Sequence, residues 1–388
     1  MKIFHLSDLH IGKILNGYSL LENQRAVLMQ IVREAEKHHP DVILICGDIY
    51  DRTVPAGEAY KLLDEFLVAL SDIEPKIPVL IIAGNHDSPE RLSYADTFLE
   101  KHQIYVSVMP PQDKTEYLKK VTLEDEYGPV HFYMLPFLKP GYVRDKAFDL
   151  DVNTYESAVK LVLDRENIDL NDRNIILSHQ FYAGKGQTIE TCESEQSVVM
   201  AGGLDKISSD VLEDFDYAAL GHIHKSQRAG SENIRYCGTP YKYSISEEHH
   251  VKSITVVELK EKGAEPEISF LPLHGIQDVR RIKGTLAEVL GKEQQENCHD
   301  FVSVTLTDEK EPYHFREQLE EVFDHLLEVR IDNSRTREKL MDTVEEVRVL
   351  CPLDAFEQFY ETMVGNPMSE AERAVMVHLI EKAEEENA

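Results

Sequence analysis

The chain has 388 residues, of which 42% are hydrophobic and 29% charged, so we expect a soluble globular protein of two or three domains. Its apolar runs are far shorter than the roughly 20 residues that span a bilayer, and no signal peptide is visible, which speaks against a membrane or secreted protein. The formal charge of −30, from 41 basic and 71 acidic residues, argues against unspecific nucleic-acid binding by the chain as a whole.

The five cysteines are scattered, odd in number and form no CxxC pair. This usage favours reduced thiols in the cytoplasm over a disulfide framework or a zinc ribbon. The acidic charge is concentrated near the end, because residues 341–388 hold 12 acidic and 3 basic residues. A solvated acidic surface is the simplest interpretation of that segment, and a partner-binding surface is the alternative.

Short apolar runs alternate with amphipathic segments over the first hundred residues. Ser88 and Pro89 suit the cap and first turn of one of the predicted helices. The alternation predicts an α/β domain with parallel neighbouring strands. Strands are predicted at 2–7, 41–48, 77–84, 130–135, 174–178, 216–220 and 252–259, and helices at 20–38, 56–70 and 88–102.

The pattern restarts after about residue 275 as strand, helix, strand, helix, strand, which predicts a small second α/β domain. The end of the chain is expected to form two helices, separated by Gly365 and Pro367. Ser369 and Glu372 would form the capping box of the second helix. The predicted domains are 1–274, 275–335, and 336–388 as a linker with a helical hairpin.

Polar side chains directly follow five of the predicted strands. The carboxyl ends of parallel strands meet at one edge of a sheet, so these groups should converge. Each motif alone could be a turn or a satisfied pair, but carboxylates and imidazoles gathered together repel or lose hydration unless a cation holds them. The residues are Asp8 and His10; Asp48 and Asp51; Asn85, His86 and Asp87; His179; and His222 and His224.

The types of side chain in this set predict the chemistry of the site. Asp, Asn and His offer oxygen and nitrogen ligands that suit Mn²⁺, Mg²⁺, Fe or Zn²⁺ better than copper. One carboxylate can bridge two ions about 3.5–4 Å apart, the arrangement that clamps both oxygens in phosphoryl transfer. We expect Asn85 to be a ligand, His86 to face a substrate phosphate and Asp87 to orient that imidazole.

The ordered motifs DLH (8–10), GDIYD (47–51), GNHD (84–87), SHQF (178–181) and GHIH (221–224) resemble the calcineurin-like metallophosphoesterase superfamily. Longer stretches around them are similar to the branch formed by the nuclease subunits of bacterial DNA-repair complexes. The resemblance covers nearly the whole chain. It implies an α/β fold in which helices flank a sandwich of two mixed β-sheets, with a small α/β capping domain and a C-terminal helical hairpin.

The resemblance also implies roles for individual residues. His86 would stabilise or protonate the departing DNA strand, and Asp87 would support it. Some archaeal relatives carry a histidine where Asp51 stands, so Asp51 is expected to support the ligands without touching DNA. The metals would be two divalent ions, Mn²⁺ with Mg²⁺ as the alternative. One ion would be held by Asp8, His10, Asp48 and His224, and the other by Asp48 as the bridge, Asn85, His179 and His222.

As a function, the resemblance implies a hydrolase of ester bonds in DNA repair, recombination and replication. It would be an Mn²⁺-dependent exonuclease at double-stranded DNA ends and an endonuclease at hairpins, in the cytoplasm with the nucleoid. A coiled-coil ATPase subunit would supply much of the DNA-binding surface, which reconciles the acidic charge with a polyanionic substrate. The predicted DNA contacts of the chain itself are Lys225, Arg228 and Lys242, although a solvated loop would explain them too.

Relatives in this branch suggest a homodimer within a heterotetramer, with contacts from the predicted helices at 56–70 and 88–102, although burial of these helices within the monomer is the alternative. The apolar faces of the C-terminal hairpin would dock on the ATPase, although packing on the chain's own core is the alternative. A protein phosphatase, a cyclic-nucleotide phosphodiesterase and a non-catalytic scaffold are the competing functions. Residues 275–388 favour the nuclease, because enzymes of small substrates need no cap and docking tail.

Overall fold

The structure, a computed structural model, describes residues 1–144, 152–195, 206–291 and 297–337, and then 356–357, 360, 366–369, 372–373 and 375–377. The chain divides into two compact units, residues 1–305 with 314–330, and residues 306–313 with 331–388. Within these described ranges, no helix combines the length and the apolar character that crossing a membrane would require.

Two six-stranded sheets form the body of the first unit. The first sheet has the order β16–β15–β1–β4–β5–β6, with the last four strands parallel to one another and β15 antiparallel to both its neighbours. Its strands are β1 (Lys2–Leu6), β4 (Val42–Cys46), β5 (Val79–Ile82), β6 (Ile104–Ser107), β15 (Ser253–Glu258) and β16 (Glu267–Pro272).

The second sheet has the order β13–β14–β12–β9–β8–β7, again with four parallel strands, β14, β12, β9 and β8, in its middle. Its strands are β7 (Lys119–Asp125), β8 (Gly128–Leu135), β9 (Arg173–Ser178), β12 (Tyr217–Leu220), β13 (Gln227–Ala229) and β14 (Ser231–Tyr236). The other strands are β2 (Ile14–Leu15), β3 (Tyr18–Ser19), β10 (Tyr182–Ala183) and β11 (Ile207–Ser208), and the three-stranded sheet of β17 (Val279–Gly284), β18 (Phe301–Leu306) and β19 (His325–Ile331).

The described helices are α1 (Leu21–His38), α2 (Gly57–Ser71), α3 (Pro89–Leu92), α4 (Asp96–Glu100), α5 (Pro140–Arg144), α6 (Tyr155–Leu163), α7 (Leu286–Val289) and α8 (Phe315–Glu320). Short 3₁₀ turns lie at Ser209–Leu212 and Ile245–Glu247.

Three apolar clusters hold the layers together. The inner faces of the two sheets meet through buried residues such as Leu44 and Phe132. The outer face of the first sheet packs on α1 and α2, and that of the second sheet packs on α6. A strand buried on both faces explains why β4 reads as an unbroken apolar run in the sequence. The structure confirms the predicted sandwich of two mixed sheets between helices.

The predicted helix at 88–102 is wrong in one respect, because the structure divides it into α3 and α4. Ala95 lies between them with a φ of 64°, in the left-handed region, which ends helical hydrogen bonding. Its beginning is as predicted, since the Ser88 side chain accepts a hydrogen bond from the Arg91 N–H.

The restarted pattern after residue 275 is confirmed as β17, α7, β18, α8 and β19. Val279 and Phe301 join the same apolar cluster as α1 and α2, so this segment shares a core with the first sheet. The predicted boundary at 274 and 275 stays a prediction. Near the end of the chain, Ser369 and Glu372 exchange the predicted capping-box bonds, while the linker and most of the hairpin lie outside the described residues.

Candidate metal centre

The loops that follow five parallel strands bring the predicted ligands together at one edge of the sandwich. The strands β1, β4 and β5 belong to the first sheet, and β9 and β12 to the second. Each predicted ligand is buried except Asn85, which is half-buried. The predicted ligands are Asp8 and His10 after β1, Asp48 after β4, Asn85 after β5, His179 after β9, and His222 and His224 after β12.

Four of these residues have an unusual backbone conformation. The φ angles of Asp8, His10, Asp48 and His222 are 53°, 42°, 51° and 93°. A side-chain-bearing residue held there costs about 1–3 kcal/mol, and persists only where its surroundings hold it. The hydrogen bond from the Asp8 N–H to the Gly47 carbonyl, at 2.9 Å, is one such restraint between neighbouring strand ends.

Two glycines before the ligands allow the strand ends to approach one another. Gly47 has a φ of 88°, and a Cβ atom there would overlap the imidazole of His179. A Cβ atom on Gly221 would overlap the carbonyl oxygen of Cys46 and, at 2.7 Å, Nδ1 of His179. The neighbouring loop therefore requires a glycine in both the GD and the GH motif, and the left-handed φ of Gly47 favours glycine there as well.

Asp48 lies at the centre of the cluster. Its Oδ2 is 3.3 Å from Nε2 of His179 and 3.7 Å from Nε2 of His10, so a single oxygen faces ligands from both predicted sets. Its Oδ1 accepts a hydrogen bond of 2.8 Å from the His86 N–H, which fixes the carboxylate.

Asn85, His179 and His222 converge on the other side of Asp48. The Asn85 Oδ1 is 3.1 Å from Nε2 of His179 and 3.0 Å from Nδ1 of His222. Nδ1 of His179 donates to the Cys46 carbonyl at 2.7 Å, so in the neutral ring Nε2 keeps a lone pair for a ligand bond.

His10 and His224 approach from the opposite side, with their Nε2 atoms 3.2 Å apart. The carboxylate of Asp8 is buried next to them and accepts two bonds from the His222 N–H, at 3.0 and 3.1 Å. Ligand atoms of Asp8, His10 and His224 all lie within 4.8 Å of one another, as do those of Asp8, Asp48 and His179.

The charges of this cluster depend on one another. Burial opposes the ionisation of Asp48, but the imidazoles of His179 and His10 outweigh it and hold the pKa of Asp48 below its usual value. Burial also opposes protonation of His179, but Asp48 and Asp8 raise its pKa to about 9. For His222, burial and then the neighbouring His179 lower the pKa to about 3.

These donors fit a divalent cation. Two buried carboxylates, an amide oxygen and imidazole nitrogens form a hard-to-intermediate set, and none of the predicted ligands is a thiolate. Nδ1 of His10 is buried and finds no hydrogen-bond partner among the described residues, and its Nε2 faces another imidazole nitrogen. A cation would bind the lone pairs that face one another and would balance the charge of the carboxylates. Without it, burial disfavours both the unpaired nitrogen atoms and the ionised carboxylates.

His86 and Asp87 lie beside the cluster, and the contacts of Asp87 differ from those expected. Nδ1 of His86 donates to the Asp51 carbonyl oxygen at 2.9 Å, and the ring stays half-buried. Asp87 instead accepts the backbone N–H groups of Gly84, Ile49 and Tyr50 at 2.9–3.1 Å. We expected Asp87 to orient the imidazole of His86, and that expectation is wrong: the Asp51 carbonyl orients the ring, and Asp87 ties two ligand loops together.

The carboxylate of Asp51 lies next to the cluster, and its predicted supporting role stays a prediction. Its Oδ1 forms an ion pair with Lys13 at 2.8 Å and lies 3.7 Å from Nδ1 of His10. Because Lys13 already balances the charge of Asp51, this carboxylate adds little negative potential at the position where a phosphate would lie.

The three predicted DNA contacts are all paired with acids. Lys225 contacts Glu190, and Arg228 binds Glu232 at 2.6 Å. Lys242 is buried, and its ammonium donates to Asp278 Oδ1 at 2.7 Å and to two backbone carbonyls. All three donors of Lys242 are therefore used, and it serves the packing of the chain in place of the predicted DNA contact.

Sequence reasoning missed four residues that surround His224, namely Ser194, Glu195, Glu247 and Lys252. Ser194 Oγ is 2.9 Å from Nδ1 of His224, and Glu247 Oε1 is 3.7 Å from the same atom. No spacing rule connects them with the GHIH motif, since Ser194 lies 30 residues before His224. Lys252 stands directly before β15, and a lysine at the end of a strand is expected to be exposed to solvent.

The chain matches known families over most of its length. Residues 1–226 match the family described as calcineurin-like phosphoesterase, and residues 276–364 match the type 5 capsule protein repressor C-terminal domain. A Staphylococcus epidermidis protein named as the SbcD subunit of the nuclease SbcCD is 30% identical over 386 residues, 98% of each chain. The protein of the same name from Staphylococcus saprophyticus subsp. saprophyticus is 33% identical over 292 residues, 75% of this chain and 73% of that one.

Among solved structures, TT1561 of Thermus thermophilus matches 69% of this chain and 98% of its own, with 11% identity and a TM-score of 0.40.

Proposed function

Since this chain belongs to the calcineurin-like phosphoesterase family and, along nearly its whole length, to that of the SbcD nucleases, we propose that it is a metal-dependent nuclease subunit that hydrolyses phosphodiester bonds of DNA. The family resemblance read from the strand-end motifs is thereby confirmed. One observation carries the proposal: seven oxygen- and nitrogen-donor residues from five strand ends converge beside a half-buried imidazole, that of His86.

Two divalent ions are proposed to bind here, Mn²⁺ with Mg²⁺ as the alternative. Bound ions would supply charge for the phosphate oxygens and a water that is easier to deprotonate. The position of Asp48 Oδ2 between His10 and His179 supports its role as the shared ligand. The proposed sets are Asp8, His10, Asp48 and His224 for one ion, and Asp48, Asn85, His179 and His222 for the other.

His86 is proposed to donate the proton that the departing strand needs. Its Nδ1 is engaged by the Asp51 carbonyl, so Nε2 is the position that exchanges a proton with the substrate. Its ring contacts that of His10 edge-on, with centroids 5.0 Å apart. The imidazole is therefore close to the ligands but more open to solvent than the buried His10 and His224.

Replacing His86 with glutamine should lower the rate of DNA cleavage by about 100–1,000-fold, within the range of general acid–base catalysis. Glutamine retains hydrogen-bonding capacity but cannot carry the proton. Initial rates at saturating Mn²⁺ would measure the loss, and Mn²⁺ titration should give the same stoichiometry for both proteins. Cleavage at the parent rate would refute the role of His86.

The substrate is proposed to be double-stranded DNA, degraded from its ends and cut at hairpins. Incubation of the purified chain with linear duplex, hairpin and closed circular DNA, and with a small phosphodiester, would test this. We expect cleavage of the linear and hairpin DNA with Mn²⁺, and no cleavage after chelation. Hydrolysis of the small phosphodiester alone would favour the phosphatase or cyclic-nucleotide phosphodiesterase alternative.

The proposed partner is an SbcC-type coiled-coil ATPase, as the name of the related complex suggests, acting with this chain in DNA repair and recombination near the nucleoid. The pairing of Lys225, Arg228 and Lys242 with acids supports a partner that supplies cationic DNA contacts. Co-purification of the ATPase with a chain truncated at residue 350 would contradict docking through the C-terminal hairpin.

A homodimer is proposed through α2, α3 and α4. These helices border an apolar groove of about 710 Å³ that includes Leu63 and Leu67. Tyr94 and Phe98 on its rim are 83% and 61% exposed, which is unusual for large apolar side chains. Sedimentation of the chain as a monomer at assay concentrations would contradict this contact.

A further inference from the structure

A chain of buried polar side chains leads from His224 into the protein interior. Ser194 Oγ lies 2.9 Å from Nδ1 of His224 and 3.3 Å from Glu247 Oε1. On its other side, Glu247 Oε2 forms an ion pair of 2.5 Å with the Lys252 ammonium. Glu247 is 0% exposed and Lys252 is 7% exposed, so both charges are removed from water.

The donors of Lys252 are fully accounted for. An ammonium has three N–H donors and no acceptor. They bind Glu247 Oε2, Thr239 Oγ1 at 2.6 Å and the backbone carbonyl of His224 at 3.1 Å. Lys252 therefore keeps Glu247 ionised and, through a separate bond, holds the main chain of His224.

The ionised Glu247 sets the direction of the hydrogen bonds. A carboxylate only accepts, so Ser194 donates its single hydrogen to Glu247. Towards His224 the Ser194 oxygen must then accept, which places the proton of the neutral imidazole on Nδ1. Nε2 of His224 keeps its lone pair, and Nε2 is the atom that faces His10 at 3.2 Å.

Further contacts prevent Glu247 from turning away. Its Oε1 also accepts the Tyr243 N–H at 3.2 Å and the Ser244 hydroxyl at 2.9 Å. Glu195 is also close to the ring, since its carboxylate accepts the backbone N–H of His224 and lies 3.8 Å from Nδ1.

A buried ion pair does not by itself show that the pair stabilises the fold, because apolar residues of similar volume often give a protein of equal stability. Glu247 reaches the imidazole of His224 through Ser194, and Lys252 binds the backbone carbonyl of the same residue, which indicates a different role. We propose that Glu247 and Lys252 are positioning residues that fix the tautomer and main-chain position of His224, and so set the affinity of the divalent ion it binds. This inference rests on the proposed function, in which His224 is a metal ligand.

The test is to measure Mn²⁺ binding to the full-length protein by calorimetric titration and, independently, by the electron paramagnetic resonance signal of the Mn²⁺ that stays free. The parent should bind two ions. In Glu247→Gln, one of the two ions should bind about 10–100-fold more weakly, which is the usual loss of metal affinity when the hydrogen-bond partner of a metal-bound histidine is replaced. The affinity for the other ion should not change. Nitrogen NMR of the labelled imidazole should show loss of the single Nδ1–H tautomer of His224.

A second variant separates positioning from misfolding. Glu247→Gln leaves Lys252 buried without its counter-charge, whereas Glu247→Gln with Lys252→Met removes both charges. The double variant should melt near the parent and still bind one ion more weakly. Glu248→Gln is the matched control, because that neighbouring carboxylate contacts the Arg281 N–H, at 3.0 Å. It should bind both ions as the parent does.

The outcomes distinguish this inference from the proposal on which it rests. A parent that binds no Mn²⁺ would overturn the proposed function and the inference together. A parent that binds two ions, with both Glu247 variants binding two at parental affinity, would overturn the inference alone.

Discussion

Replacing Asp48 with asparagine is expected to lower the rate of DNA cleavage by at least about 1,000-fold, since electrostatic stabilisation of a transferring phosphoryl group is usually the largest catalytic term. The substitution keeps the shape of the side chain and the bond from the His86 N–H to Oδ1, which measures 2.8 Å. It removes the anionic Oδ2 that faces both His10 and His179. Both proposed ion sites would therefore lose a ligand.

Initial cleavage rates at saturating Mn²⁺ and a calorimetric Mn²⁺ titration would measure this effect. Asp72→Asn is the matched control, because that carboxylate is exposed at the end of α2. The control should cleave DNA and bind Mn²⁺ as the parent does. An Asp48→Asn protein that retained more than about a tenth of the parental rate would show that Asp48 is not the shared ligand, because a tenfold loss corresponds to only about 1.4 kcal/mol of transition-state stabilisation.

Replacing Arg173 with methionine is expected to destabilise the protein by about 1–3 kcal/mol, because the Asp125 carboxylate and two buried carbonyl oxygens would lose their donor, while the N-terminal ammonium would still bind Asp125. Arg173 is 2% exposed at the start of β9. Its guanidinium binds both oxygens of Asp125, at 2.5 and 3.0 Å, and the carbonyls of Gly128 and Lys260 at 2.6 and 2.9 Å. Since Lys260 follows β15, these bonds join the two sheets at the edge opposite the ligands.

Denaturant unfolding would measure the lost free energy of unfolding. Arg316→Met is the control, because Arg316 lies exposed on a helix and is 4.0 Å from Glu320; it should lower the stability by less than about 1 kcal/mol.

The stability lost in Arg173→Met should also depend on pH. Burial opposes ionisation of Asp125, but Arg173 and the N-terminal ammonium outweigh it and hold its pKa below the usual value. Its contribution is therefore complete above the unfolded pKa of about 4 and falls as the pH drops below it. An equal loss at pH 7 and pH 3 would contradict the ion-pair explanation.

The strand-end ligands could be recognised in the sequence because two local signals coincide at each of them. β4 is an unbroken apolar run, which marks a strand buried on both faces, and Asp48 follows it after a single glycine. His179 directly follows β9, whose apolar stretch is residues 175–177. Parallel strands align their carboxyl ends, so the sequence alone predicts that the polar residues after five strands lie at one edge.

The errors arose where the partner of a side chain is set by the approach of distant loops. Asp87 is adjacent to His86 in the sequence, yet its carboxylate turns to the amides of Ile49 and Tyr50. Lys242 belongs to a locally basic stretch, yet Asp278 and two carbonyls occupy its ammonium. Proximity along the chain predicted the wrong contact in both cases, because hydrogen bonds are satisfied in space.

The amino-acid sequence alone determined the layered α/β architecture, the family and the identity of the predicted ligands, because apolar periodicity and residue type at strand ends are local properties. The folded chain alone decided which nitrogen is free in His86, His179 and His224 and which φ angles are strained. It also decided that Glu247 and Lys252 belong to the surroundings of His224. Hydrogen-bond polarity and backbone strain depend on groups far apart in the chain, such as His10 and His224, which are separated by 214 residues, and no local pattern encodes that distance.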